Sequence, residues 1–88
     1  MIRAADFVWV DWNLNKIDAH GLSISEVEFA WRYRFGDEPD EHPIRGQFFR
    51  SYGPCPSGRV IRIIWRWNSD AVADRVFVLS AHGNWSVR

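Results

Sequence analysis

The sequence predicts an α+β domain: a strand and two short helices come first, followed by an antiparallel sheet of about three to four strands, with the helices packed on one face. Three observations predict it. Two helix boundary patterns fall within the first 26 residues, three runs rich in aromatic and branched residues follow position 46, and the middle run alternates cleanly in polarity. In chain order, Phe7-Val8-Trp9-Val10 is a short apolar run and reads as the first strand. Asp11 reads as the cap of a helix over 12–20, and Gly21 as its left-handed stop. Ser23-Ile24-Ser25-Glu26 is a capping-box pattern that opens a second helix, with Ile24, Val27 and Trp31 as its core stripe.

Gly36–Gly46, with four acids around Pro39 and Pro43, reads as a solvated loop. The sheet runs are Gln47–Tyr52, Val60–Asn68 and Val76–Ala81. Gly53–Gly58, with Pro54 and Pro56, forms a turn that ends the first of them, because proline does not suit a central strand. In the middle run Ile61, Ile63, Trp65 and Trp67 share one face, the expected core face. Val60, Arg62, Ile64, Arg66 and Asn68 share the other. Asn68–Asp74 reads as the connection of the far hairpin.

The chain has 88 residues, enough for one domain over 1–88 and one core. A domain of this size buries only roughly 60–65% of its unfolded surface, so the core must be well filled. Six Trp, six Phe and two Tyr provide the bulk and exclude a disordered chain. One cysteine excludes a disulfide framework or a thiolate zinc cluster. No apolar run approaches the ~18–20 residues of a membrane span, and the first residues lack the apolar stretch of a signal peptide. The expectation is a soluble, cytoplasmic protein of bacterial type with no membrane association and no cofactor.

The formal net charge of zero conceals a split. Residues 1–41 carry four basic and nine acidic side chains, whereas 42–69 carry five arginines and no acid. Such asymmetry marks an anion-binding face or a docking surface. Arg59, Arg62 and Arg66 form the best candidate constellation, with Arg50 joining from across the hairpin. Guanidinium groups there would hold a phosphodiester; alternatively they pair with the acidic half of the chain. Arg62 and Arg66 lie on one strand face, about 13 Å apart. His20, at a helix end, suits the helix dipole or general acid–base chemistry. A His20/His82 pair would supply the two proton transfers of RNA cleavage if the fold brings them together. His42 among Asp37, Glu38, Asp40 and Glu41 matches no metal-ligand spacing. Cys55 reads as an incidental turn thiol, and Phe29, off the helix stripe, as an exposed apolar anchor.

Trp9-Val10-Asp11-Trp12-Asn13, Lys16-Ile17, Ala19-His20-Gly21-Leu22-Ser23 and Glu26-Val27-Glu28 together resemble the opening of BrnT-type toxins. Gly58-Arg59 before a hydrophobic strand, and a last strand ending Leu79-Ser80-Ala81, are also similar to that family. The resemblance spans roughly residues 7–35 and 48–82. It implies a RelE-like fold and a small, metal-independent endoribonuclease acting in a toxin–antitoxin pair, with a cognate antitoxin and RNA as partners. It places His20 and Arg59 at family-like catalytic positions; together with His82 from the histidine pairing they are the candidate catalytic residues, and Arg50, Arg62 and Arg66 of the strand-face reading are the candidate RNA contacts. The chain departs from the family at Pro54 and His82, where relatives carry arginine. It also has zero net charge and stops at Arg88 without a basic C-terminal helix. These departures imply a weakened or inactive enzyme. The alternative is a non-catalytic protein-interaction module that keeps the fold.

Overall fold

A computed structural model describes residues 6–69 and 74–85. The fold is α+β. Strand β1 (Asp6–Val8) leads into helices α1 (Asp11–Ala19) and α2 (Ile24–Arg32). Four strands follow: β2 (Asp37–His42), β3 (Gly46–Pro54), β4 (Val60–Ser69) and β5 (Asp74–Trp85). They form one mixed sheet in the order β1-β5-β4-β3-β2. The last four strands pair antiparallel, as the hairpin pattern predicts, and β1 adds to β5 in parallel. The sheet thus has five strands and is mixed rather than purely antiparallel. The expected connection of the far hairpin falls largely on 70–73, outside the described residues.

Both helices start from local chemistry, but one cap differs from expectation. At α2, Glu26 N donates to Ser23 Oγ (3.2 Å) and Ser23 N donates to Glu26 Oε1 (3.0 Å), which completes the capping box. At α1 the cap residue is Val10, and Asp11 is the first helical residue, where its charge favours the helix dipole. Asn13 takes the capping role instead: its Oδ1 accepts from Val10 N and its Nδ2 donates to Val8 O, each at 2.8 Å. Asn13 is fully buried, and these bonds offset the cost of burying its amide. Gly21 has φ 71°, the left-handed conformation that ends α1.

The core lies between the helical segment and one sheet face, with Ile17 of α1 and Leu22 contributing beside α2. Ile61, Ile63, Trp65, Val76 and Val78 meet Val27, Ala30 and Trp31 there. Trp65, 1% exposed, stacks on Phe49 and meets Trp31 edge-on at 5.3 Å. Its indole N–H donates to Ser51 Oγ (2.8 Å), and Ser51 in turn donates to Asp37 Oδ1. Helix α2 crosses β3 so closely that a Cβ at Gly53 would collide with the Ala30 carbonyl. That crossing turns Val27, Ala30 and Trp31 inward and leaves Ile24 exposed, contrary to the expected stripe.

Three further expectations are corrected. Residues 37–42 are an edge strand rather than a loop: all six are exposed, and they are held by backbone pairing to β3. Charged side chains and a proline are what a solvated edge strand tolerates. Strand β3 continues through Gly53 and Pro54, which pair with Ile61 and Val60. Cys55 N donates to Arg59 O, so alternation points the Pro54 nitrogen away from β4, toward an edge where β2 has already ended. Trp67 meets Trp31 and Trp65 edge-on but remains 42% exposed, so only Trp65 of the expected pair is core.

Candidate functional site

The second sheet face carries the polar chemistry. Cross-strand register there places Tyr52 opposite Arg62 and Arg62 opposite His82, so the three side chains form a row across β3, β4 and β5. Helix α1 lies along β5 beyond the end of β1 and extends this row. Its Trp12 stacks on Phe77 (6.1 Å, 23°), and at its C-cap the His20 ring sits 3.9 Å from the His82 ring. The two histidines, 62 positions apart in sequence, are therefore neighbours. His20 is exposed and His82 half-buried. Burial pushes the His82 pKa below its ordinary 6.5, and the positive charges of His20 and Arg62 add to the shift. Near neutral pH His82 is thus an uncharged base beside a second imidazole.

The other predicted cations distribute between this face and elsewhere. Arg50 lies on the same face, but its Nη2 is 2.9 Å from Asp40 Oδ2 on β2. Arg59 sits at the same end of the sheet on the helix side: its Nη2 is 3.6 Å from Glu26 Oε2 and its guanidinium lies against Gly83. Part of the charge split in the sequence is therefore internal pairing, since the acidic segments supply Asp40 and Glu26. Arg66 lies one ring-stack away from α1, its guanidinium 4.9 Å from the Phe77 ring centre. Among the described residues, no three metal-ligating side chains converge.

Residues 37–42 and Cys55 have structural roles. His42 Nδ1 accepts from the backbone N–H groups of Ile44 and Arg45 at 3.1 and 3.2 Å, which fixes the β2–β3 turn. Cys55 is a buried core residue with hydrogen-bond partners rather than an incidental turn thiol. Its Sγ donates to Glu26 Oε2 at 3.2 Å and accepts from Ser57 Oγ. That thiol bond, followed by the capping bonds and Arg59, holds the Glu26 carboxyl below its ordinary 4.5. Phe29 is exposed as expected and packs against Tyr33 at 4.7 Å.

Tyr52, Lys16 and Phe77 were not singled out by the sequence as site residues. Of these, Lys16 alone could have been found from the sequence, because it precedes His20 by four residues and so shares its face of α1. Tyr52 and Phe77 need the strand register. No helix among the described residues is long and apolar enough to cross a membrane. The chain matches no family model, no curated protein and no solved structure.

Proposed function

We propose that the protein acts on RNA as a small endoribonuclease of the BrnT-like toxin type, slow in turnover, with His20 and His82 as its acid–base pair. The observation that carries this reading is the 3.9 Å approach of the two rings beside Arg62. In the reaction, the 2′-oxygen attacks phosphorus while its proton passes to His82, which is kept neutral by its surroundings. The bond from phosphorus to the 5′-oxygen breaks, and His20 gives that oxygen a proton. The products are a 2′,3′-cyclic phosphate and a 5′-hydroxyl. Arg62 offsets charge that develops on the phosphoryl oxygens. Two imidazoles complete this sequence without a metal.

Two features keep the reaction slow. The phosphate must enter between rings that now touch, so the exposed His20 has to turn aside first. His82, where relatives carry arginine, holds no charge for the phosphate near neutral pH. Arg59 contributes charge only from the helix side and through its ion pair with Glu26.

Cleavage of a single-stranded RNA in the presence of EDTA tests the reading. Wild-type protein is expected to generate cyclic-phosphate ends, with a loss of at least about 100-fold in His20→Ala and in His82→Ala. Cleavage that survives His20→Ala unchanged, or none at all in the wild type, would overturn it. The interaction-module reading rests on the exposed Phe29–Tyr33 pair on α2. A tight complex with a co-encoded small protein, weakened by Phe29→Ala with cleavage absent throughout, would favour that module.

A further inference from the structure

A groove of about 710 Å³ opens on the same sheet face as the histidine pair, between α1 and the β2–β3 turn. Its floor and walls include Trp12, Lys16, Arg45, Phe48, Arg66 and Phe77, and no acidic side chain lines it. One end is an aromatic platform flanked by cations. Trp12 stacks on Phe77, Lys16 Nζ lies 5.4 Å from the Trp12 ring centre, and Arg66 lies 4.9 Å from that of Phe77. Trp12 is 45% exposed although large and apolar, so part of its ring remains open to a ligand.

The groove lies next to the histidine pair, although neither of those two rings lines it. Along α1, Trp12, Lys16 and His20 follow one another at intervals of four residues, about 6 Å of helix rise each. Along β5, Ser80 lines the groove and His82 lies two residues further on, on the same face. Flat rings bordered by cations, with acids excluded, match a ligand that alternates planar bases with negative phosphates. A purely anionic ligand would leave the rings without a role, and a purely apolar one would have to bury Lys16, Arg45 and Arg66 unpaired.

We infer that this groove binds one to two nucleotides of single-stranded RNA, with a base stacked on the Trp12–Phe77 platform and a phosphate held by Lys16 and Arg66. The inference rests on the RNA-cleaving reading and deepens it: the groove fixes the nucleotide next to the phosphate that reaches His20 and His82. Positioning by a bound neighbour is what a weak phosphate clamp at His82 leaves necessary.

A 2′-O-methyl oligonucleotide, which lacks the attacking hydroxyl, separates binding from cleavage. Fluorescence anisotropy with a labelled oligonucleotide at low salt is expected to show saturable binding that weakens as salt rises. Trp12→Ala should weaken it by about 5- to 150-fold, and Trp12→Phe should restore most of the loss. Arg66→Ala should weaken binding and lower the salt slope by about 0.7. Arg32→Ala, a charge removed from the helix side, should leave affinity within about twofold. Circular dichroism confirms that each variant is folded. Undetectable binding at low salt would overturn the inference, as would binding lost in Arg66→Ala but indifferent to Trp12→Ala, which indicates an anion contact without base stacking. Binding sensitive to Trp12→Ala, with no cleavage of ordinary RNA, would sustain the groove and remove the enzyme reading. Cleavage that depends on His20 but is indifferent to Trp12→Ala would do the reverse.

Discussion

The two faces of the same sheet use similar residues for opposite ends. On the helix face, Trp65, Phe49 and Trp31 are packed ring against ring, and the one polar atom of Trp65 is matched by Ser51. On the open face, Trp12, Phe77 and Phe48 are interleaved with Lys16, Arg66 and Arg45 around an open groove. The difference is cover. Helix α2 lies across β3 and β4 on one side, whereas α1 flanks β5 and leaves the centre of the other side open. Aromatic count alone therefore says little about role; what decides it is whether a helix lies over the ring.

The covered face has least room for change at the α2–β3 crossing. Gly53→Ala places a methyl group in the Ala30 carbonyl, where neither backbone has room to yield. The expected result is a loss of about 3 kcal/mol or more in urea unfolding, with lower near-ultraviolet signal as α2 lifts from the tryptophans. A stability within about 0.5 kcal/mol of wild type would show that the crossing is looser than described.

Nearly as large is the contrast between tryptophans. Trp65→Ala should cost about 3–5 kcal/mol, because it empties the core and leaves Ser51 without its donor. Trp12→Ala, on the open face, should cost no more than about 1 kcal/mol. Equal losses in chemical denaturation would erase the distinction between the faces.

A smaller effect concerns pH, with one titrating group tied to each face. The folded-state pKa of His82 lies below its ordinary 6.5, so folding disfavours its charged form. Its contribution is fully present above pH 6.5 and is lost as pH falls through the depressed value. The Glu26 pKa is also lowered, so its contribution is present above its ordinary 4.5 and is lost as pH falls further. Urea midpoints are therefore expected to drop in two stages on acidification. His82→Asn should remove the first stage and Glu26→Gln the second. A midpoint that stays flat in wild type down to about pH 4 would count against the His82 environment described here.

What the sequence disclosed follows from how local the controlling chemistry is. The α2 cap was legible because Ser23 and Glu26 complete it within four residues. The inward run Ile61, Ile63 and Trp65 was legible from strict alternation. Strand β2 was not, because an edge strand is held by backbone bonds and its acidic side chains carry no apolar signal. Pro54 misled for a related reason: its missing N–H matters only if a strand lies on that side, and none of the described strands does. In the candidate site, the arginine positions were visible, but their partners Asp40 and Glu26 come from distant segments. The meeting of His20 with His82, and of Trp12 with Phe77, depends on α1 lying along β5. No spacing along the chain encodes that placement.

The Glu26 carboxylate has a consequence for how the molecule opens. It caps α2 through Ser23, accepts from the Cys55 thiol and pairs with Arg59, so one side chain joins a helix start to a hairpin turn 29 residues away. Neither piece can unravel without releasing the other's partner. The first turn of α2 and the Cys55–Arg59 turn are therefore expected to open together, and hydrogen exchange should give their amides similar protection. Fraying, which ordinarily begins at helix ends and hairpin turns, is thereby directed away from this end of the sheet, where His82 and Arg62 stand.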